Sequence, residues 1–236
     1  MAPLRYVVNV TRMMLFILII LSAIFLLNHV RLSAYFPIQI VRVYGINHLD
    51  RREVCDSLAP LVKRGFFGIQ VEAIRDHLLP MPWVEDILVR REWPNIVNVT
   101  IIEKQAVAIW NGNMLVSETG NIFEPDKATY PNNLPHFYAP IGKQIIVLQF
   151  YNDINRLLLP LHVKISQLEM TSFLSWKLKL DNGITVQAGQ KDILQRMAHL
   201  VRVYPTIVGV RAGDVDYIDL RYPNGVAVRW KEAIKT

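Results

Sequence analysis

The sequence predicts an α+β protein with one hydrophobic N-terminal helix, a β-α-α-β-β segment and a mostly antiparallel C-terminal β domain with flanking helices. Three observations lead to this prediction. Residues 13–30 contain no charged side chain. Residues 37–110 pass from strand periodicity to helix periodicity and back, and the rest of the chain is mainly short strands between turn residues. A chain of 236 residues is long enough for two domains beyond the hydrophobic segment.

The hydrophobic segment has the length of a membrane span. Residues 13–27 are 15 positions whose only polar side chain is Ser22, and 18 uncharged residues follow Arg12. As a helix they would be roughly 27 Å long, close to a hydrocarbon thickness of about 30 Å. A cleaved signal peptide is the alternative, but its apolar region would be about 7–15 residues long, and no A-x-A-type site follows Leu27. We therefore predict a transmembrane helix over residues 13–30.

The charges beside this segment are nearly balanced between its two ends. Arg5 and Arg12 precede it, and Arg31 and Arg42 follow it, so the positive-inside count is close to a tie. Long domains translocate largely regardless of charge, which favours leaving the short N-terminal tail in the cytoplasm. We therefore expect residues 1–12 to be cytoplasmic and the domains after the helix to lie outside.

Charge and cysteine content exclude several classes of protein. The net charge is +6, and the basic residues form no long run, so the sequence does not predict binding to nucleic acid. The single cysteine, Cys55, excludes an internal disulfide and any Cys-based metal set. It lies in a helix of apolar periodicity without a neighbouring histidine, and we interpret it as a buried structural thiol rather than a nucleophile.

A β-hairpin within residues 83–110 is the most informative stretch of the chain. Two β-rich runs flank Trp93-Pro94-Asn95, where proline fixes one turn position and asparagine tolerates the next. Apolar and polar residues alternate along the second run, which is the period of a half-buried strand. The predicted buried faces consist of Ile87, Val89, Val97, Val99 and Ile101.

The segment before the hairpin predicts a strand and two helices. A short strand begins near Ile38 and ends at the turn Gly45-Ile46-Asn47. Asp50 and Glu53 have the spacing of a capping box and would start the first helix. The second helix begins near Val71 and is stopped by prolines. Together with the hairpin, the element order is β-α-α-β-β.

Beyond residue 110 the sequence predicts strands with two intervening helices. One helix covers residues 144–159, and the other is capped by Asp192 and terminated by Pro205. The proline-rich residues 125–140 are expected to form an extended surface loop. The predicted strands lie at residues 114–117, 121–123, 163–168, 175–180, 184–187, 215–222 and 226–230.

Several short motifs of the sequence resemble those of the FtsQ/DivIB family, which consists of bitopic membrane proteins of the bacterial division machinery. Arg90-Arg91-x-Trp93-Pro94, then Glu103 and Val107-Ala108-x-Trp110, resembles the end of the family's POTRA domain. Trp176-x-Leu-x-Leu-x-Asn-Gly183, Leu200-Val-x-Val-Tyr-Pro205 and Tyr217-x-Asp-Leu-Arg-Tyr-Pro-Asn-Gly225 resemble its β domain. The resemblance implies a POTRA domain over residues 36–106 and an FtsQ-type β domain over residues 107–232.

The sequence shows no pattern typical of a catalytic, cofactor or metal site. Its six histidines never occur at H-x-x-x-H or H-x-x-E-H spacing, and no P-loop, G-x-G-x-x-G or G-x-S-x-G is present. Asp214, Asp216 and Asp219 lack the glycine loop of a calcium site, and we interpret them as a solvated strand edge. We therefore predict a protein that is not an enzyme, with no cofactor, no metal and no small-molecule substrate.

The last strand is the candidate binding site. Because residues 226–230 come last in the chain, we expect them at a sheet edge, where unpaired backbone groups can accept a partner strand. The alternative is that Tyr222 and Trp230 only cap the hydrophobic core of the final hairpin. In the FtsQ/DivIB family the last strands bind the C-terminal segment of FtsB by strand addition. The resemblance therefore implies a partner-binding site formed by Tyr222, Asn224, Gly225, Val226, Val228 and Trp230.

The resemblance also implies a function and a location. The protein would be a single-pass protein of the bacterial inner membrane, with a cytoplasmic N-terminus and periplasmic domains, at the division septum. It would dock FtsB, and FtsL through FtsB, and link early to late components of the septal cell-wall machinery. POTRA domains also receive extended chains in transport systems, so the alternative is a polypeptide-binding component of a protein transport or secretion system.

Overall fold

A computed structural model of the chain describes residues 2–29, 36–222 and 225–231. The chain divides into two compact units, Met1–Glu103 and Lys104–Thr236. Their elements confirm the predicted α+β class, with one helix-covered sheet in each unit.

The first helix, α1, is Ala2–His29, and the side chains of residues 12–25 are all exposed. In the part of the chain that the structure describes, no helix is both long enough and apolar enough to cross a membrane. The transmembrane span predicted over residues 13–30 is therefore not found among the described residues, and its last residue, Val30, lies outside them.

The rest of the first unit has the predicted β-α-α-β-β order. Its elements are β1 (Ile40–Tyr44), α2 (Arg51–Val62), α3 (Val71–Leu78), β2 (Val84–Glu92) and β3 (Ile96–Glu103). The strand order is β1-β3-β2, with β1 parallel and β2 antiparallel to the central strand. The predicted hairpin is thus formed by β2 and β3, and it ends at Glu103, because the next strand belongs to the second unit.

Apolar periodicity determines which faces of these elements are buried. Val97, Val99 and Ile101 of β3 are at most 2% exposed, and they pack with the buried residues of α2 and α3. Asp50 caps α2 by accepting a hydrogen bond from the N–H of Arg52 at 2.8 Å. The core of the first unit therefore lies between the sheet and its two helices.

Cys55 is exposed, so its interpretation as a buried thiol is wrong. The buried positions of α2 are Val54 and Leu58. Because successive helical residues are rotated by about 100° around the axis, the residue after a fully buried one leaves the packed face.

The second unit is built on one large sheet. Its strands are β4 (Ala106–Trp110), β5 (Met114–Ser117), β6 (Ile122–Phe123), β7 (His136–Tyr138), β8 (Ile165–Met170), β9 (Trp176–Leu180), β10 (Thr185–Gly189), β11 (Val215–Asp219) and β12 (Ala227–Trp230). Among the described residues these nine strands follow the order β12-β11-β10-β9-β8-β7-β4-β5-β6. Most neighbouring strands are antiparallel, as predicted, and the parallel pairs are β4–β7, β7–β8 and β10–β11.

Two helices pack on this sheet and on each other, α4 (Gln144–Leu158) and α5 (Ile193–Ile207). Each presents one apolar face to the core. Their buried residues are Val147, Leu148, Ile154 and Leu158 of α4 and Met197, Leu200 and Tyr204 of α5.

Part of the predicted surface loop over residues 125–140 is a strand in the interior of the sheet. β7 runs parallel to both β4 and β8, and Phe137 is completely buried. The proline-rich context predicted a loop because proline cannot donate to a sheet ladder. Here the carbonyl of Pro135 instead accepts a hydrogen bond from the N–H of Ile109 at 2.8 Å.

The ends of α5 also differ from the prediction. Asp192 occupies the N-cap position, but it has a φ of +53° and its side chain makes no capping hydrogen bond. Pro205 lies inside the helix, which continues to Ile207, and the N–H of Val208 still donates to Tyr204 O at 2.8 Å. Tertiary packing of the buried Tyr204 outweighs the local preference for ending the helix at proline.

Candidate partner-binding site

β12 is an edge strand of the nine-stranded sheet. Among the described residues it pairs only with β11, in an antiparallel register that aligns Val228 with Ile218 and Ala227 with Asp219. The prediction that the last strand lies at an edge is confirmed.

The register determines which backbone groups of β12 point away from the sheet. The N–H of Lys231 donates to the carbonyl of Asp214 at 2.7 Å. Because backbone groups alternate in direction along a strand, Ala227 and Arg229 also face β11. The N–H and C=O groups of Val228 and Trp230 consequently point toward the open edge.

The side chains of β12 divide between the two faces of the sheet. Val226 and Val228 are half-buried and pack against the core of the second unit. Arg229 lies on the opposite face and forms an ion pair with Asp216 at 2.7 Å. Trp230 is 37% exposed, and the guanidinium of Arg211 lies 4.4 Å from the centre of its ring, which is a cation–π arrangement.

A groove of about 370 Å³ opens beside the start of β12. Tyr222, which is 59% exposed, Gly225 and Val226 form one side of it, and α5 forms the other. Asn224, the remaining predicted site residue, lies outside the described residues. The complete lining consists of Asp192, Gln195, Arg196, His199, Leu220, Tyr222, Gly225 and Val226.

Sequence reasoning did not identify the α5 side of this groove. The helical period predicts which residues of α5 are buried, but it does not predict which strand its polar face accompanies. Arg196 is the residue that ties the two elements together, because its guanidinium donates to the carbonyl of Leu220 at 3.1 Å.

Asp219 fixes the chain where β11 leads into the site. It is only 4% exposed, so its interpretation as part of a solvated edge is wrong, whereas Asp214 is exposed. The carboxylate accepts hydrogen bonds from the backbone N–H of Arg221 at 2.9 Å and from its guanidinium at 2.7 Å. The guanidinium of Arg221 is the main reason why the pKa of Asp219 lies below its usual value. The reason for its burial is tertiary, because β10 and β12 flank β11 on both sides.

In the residues that the structure describes, no group of three or more His, Cys, Asp or Glu side chains is arranged to hold a metal ion. The polar side chains described above either fix the backbone or pair across strands. The arrangement that remains available for recognition is the open edge of β12 and the adjoining groove.

Comparison with known families agrees with this architecture. The family described as "POTRA domain, FtsQ-type" matches residues 36–104. The family described as "Cell division protein FtsQ/DivIB, C-terminal" matches residues 108–221. The two units therefore define a protein that combines a POTRA domain with a C-terminal β domain.

Similar proteins extend over most of the chain. "Cell division protein FtsQ" of Coxiella burnetii is 34% identical over 193 residues, which cover 82% of this chain and 79% of that protein. The protein of the same name from Burkholderia pseudomallei is 32% identical over 199 residues, covering 82% of this chain and 80% of the relative. The protein of that name from Alcanivorax borkumensis is 31% identical over 199 residues, which cover 84% of this chain and 77% of the relative. The chain belongs to the FtsQ/DivIB family of cell division proteins.

Proposed function

We propose that this protein acts in cell division as a non-catalytic scaffold that docks a partner strand on the open edge of β12. The partner is the C-terminal segment of FtsB, and FtsL is recruited through FtsB, so that the scaffold links early to late components of the septal cell-wall machinery. The observation that carries the proposal is the outward direction of the backbone groups of Val228 and Trp230 at an edge that no described strand covers.

Strand addition uses this edge in a defined way. The backbone of the partner supplies hydrogen bonds that are independent of sequence, and its alternate side chains supply specificity. Trp230 offers a partly exposed ring at the end of the strand, and the groove beside Gly225 and Val226 offers a recess at its start. Backbone pairing and side-chain recognition are therefore available on the same short strand.

The binding test uses the full chain in detergent and a labelled peptide from the C-terminal part of the same organism's FtsB. Trp230→Ala removes an aromatic anchor and is expected to weaken binding by roughly 1 kcal/mol or more. Val228→Pro is expected to weaken it further, because the proline ring replaces an outward N–H while the hydrogen bonds to β11 remain.

Trp93→Ala is the matched control, because Trp93 is also exposed but belongs to the first unit. It is expected to bind the peptide as the wild type does, with all variants equally folded by circular dichroism. Absence of binding by the wild type would remove the proposed site. Equal binding by Trp230→Ala and Val228→Pro would keep the partner but exclude β12 as its docking strand.

The second part of the proposal concerns location. We place residues 13–30 in the inner membrane, residues 1–12 in the cytoplasm, and both units in the periplasm at the division septum. The 18 uncharged residues support this placement, as does the exposure of the large apolar side chains within residues 12–25, which ranges from 46% to 69%. A helix packed on a protein core would bury one face.

Cell fractionation tests this placement. The full chain is expected to stay with membranes during alkaline extraction, and protease added to spheroplasts is expected to cleave the units while the cells remain intact. Release by alkali would contradict anchorage, and protection from external protease would contradict the orientation. A chain without residues 13–30 is the control, and it is expected to be released.

A further inference from the structure

Four aromatic rings form a cluster in the first unit. Phe36, Phe66, Phe67 and Trp93 make up this aromatic patch, with ring centres 4.9 Å apart for Phe36 and Trp93 and 5.3 Å apart for Phe66 and Phe67. Trp93 is 59% exposed and Phe67 is 53% exposed. None of the four rings belongs to the buried core of the unit.

The patch is held in place by its own backbone. The N–H of Phe66 donates to the carbonyl of Phe36 at 2.8 Å, and the N–H of Ile69 donates to the carbonyl of Gly65 at 3.0 Å. Phe66 and Phe67 therefore lie in a hydrogen-bonded turn that is tied to Phe36. Clustered apolar rings that folding leaves exposed are typical of a contact site.

Cations surround the aromatic patch. Lys63 and Arg64 lie three and two residues before Phe66, with Gly65 in between, and both are exposed. The guanidinium of Arg91 lies 6.0 Å from the ring of Phe66 and donates to the carbonyl of the same residue at 3.5 Å. The neighbouring acid, Glu92, accepts hydrogen bonds from Asn98 and Arg42. Exposed tryptophan and phenylalanine with lysine and arginine at their rim are the composition that sits at a membrane–water interface.

The position of the patch in the chain also points to a membrane surface. Only residues 30–35 separate His29, the end of α1, from Phe36. Seven peptide steps reach at most about 25 Å. A bilayer that holds residues 13–30, as proposed above, therefore lies within reach of the patch.

We propose that the aromatic patch docks residues 36–103 on the anionic surface of the bilayer in which residues 13–30 are anchored. The inference rests on the anchorage proposed above. Trp93 and Phe67 enter the interfacial region, and Lys63, Arg64 and Arg91 pair with anionic headgroups.

Tryptophan fluorescence of the full chain in vesicles tests the proposal. The vesicles contain phosphatidylethanolamine and phosphatidylglycerol with brominated acyl chains, which quench indole rings that contact the lipid. Trp83, Trp110 and Trp176 are at most 5% exposed, which leaves Trp93 and Trp230 as the exposed indoles. Trp93→Phe is expected to remove most of the quenchable emission, and the matched variant Trp230→Phe is expected to leave it unchanged.

Two further variants test the contributions of charge and apolar surface. Lys63→Gln combined with Arg64→Gln is expected to reduce quenching in these vesicles but not in vesicles of phosphatidylcholine alone. Phe67→Ser is expected to reduce it in both. Circular dichroism checks that each variant is folded, and because all three positions are exposed, the fold is expected to persist.

The outcomes separate this inference from the anchorage on which it rests. If the chain is released from the vesicles by alkali, the anchorage fails and the inference fails with it. If the chain is retained but Trp93→Phe loses no quenchable emission, the anchorage stands and lipid docking is overturned. In that case the patch faces water or a protein partner.

Discussion

At the scale of single residues, buried carboxylates determine the conformation of the backbone around them. The side chain of Glu103 is 5% exposed and accepts hydrogen bonds from the N–H groups of Asn47 at 2.8 Å and His48 at 3.0 Å. The imidazole of His48 lies 2.8 Å from the same carboxylate and stacks on Trp83. Burial raises the pKa of Glu103, but these hydrogen bonds outweigh it, so that the pKa lies below its usual value.

Glu103→Gln is therefore expected to destabilise the first unit by about 2 kcal/mol at neutral pH. A carboxylate with a lowered folded pKa stabilises the protein above its unfolded pKa, which is about 4.3 for glutamate. The stabilisation is lost as the pH falls through the lower, folded pKa. Urea titrations at neutral and acidic pH measure this difference. Asp56→Asn, at an exposed position of α2, is the control and should change little.

Asp219 leads to a parallel prediction in the second unit. Asp219→Asn removes the charge that holds Arg221 and is expected to destabilise the unit by about 2 kcal/mol. The pKa of Asp219 is also lowered, so its stabilisation is present above about pH 3.9 and declines below it. Asp214→Asn changes a carboxylate that is 59% exposed and should have little effect. Equal destabilisation by both variants would contradict the role assigned to burial.

At the scale of elements, β7 shows how a three-residue strand can hold a large sheet together. It lies between β4 and β8, and it contributes a parallel pairing on each side. Phe137, the middle residue of β7, is completely buried in the core. Its ring packs against the ring of Tyr151 on α4, with the two ring centres 4.9 Å apart. The strand therefore joins the two halves of the sheet and packs against a helix.

Phe137→Ala is expected to destabilise the second unit by about 3–5 kcal/mol, through lost apolar burial and a cavity. Tyr138→Ala, one residue further and 37% exposed, is the matched control and should cost less than about 1 kcal/mol. Chemical denaturation of both variants measures the difference. Similar losses in both would show that the strand contributes through its backbone and not through Phe137.

At the scale of the whole molecule, the two units have separate cores. In the described residues, the buried cluster of the first unit extends from Val43 to Ile101, and that of the second extends from Ala108 to Leu220, without a shared member. Each cluster contains its own sheet and helices. Separate cores are the basis for separate unfolding transitions.

We therefore expect core variants to act within their own unit. Hydrogen exchange of the full chain should show that Glu103→Gln raises exchange in residues 36–103 and that Phe137→Ala raises it in residues 104–222. In each case the other unit should keep its wild-type protection. Loss of protection in both units from either variant would contradict independent cores.

Much of the fold follows from local pattern. The order of elements in the first unit, the β2–β3 hairpin and the two helices of the second unit are all predicted from side-chain periodicity and turn residues. These features depend on neighbours within about one turn or one hairpin, and a sequence displays such neighbours directly. The resemblance to the FtsQ/DivIB family also rests on short sequence motifs of this kind.

Tertiary structure decided the features that depend on residues far apart in the chain. β7 is an interior strand because it pairs with β4 on one side and with β8 on the other. Asp219 is buried because β10 and β12 flank its strand. Arg196 came to line the groove beside β12 because α5 packs next to the end of β11. Sequence by itself determined the apolar faces of the helices and of the β2–β3 hairpin, because their periodicity is local. Only packing determined which polar residues meet, because those contacts join elements whose separation in sequence carries no periodic signal.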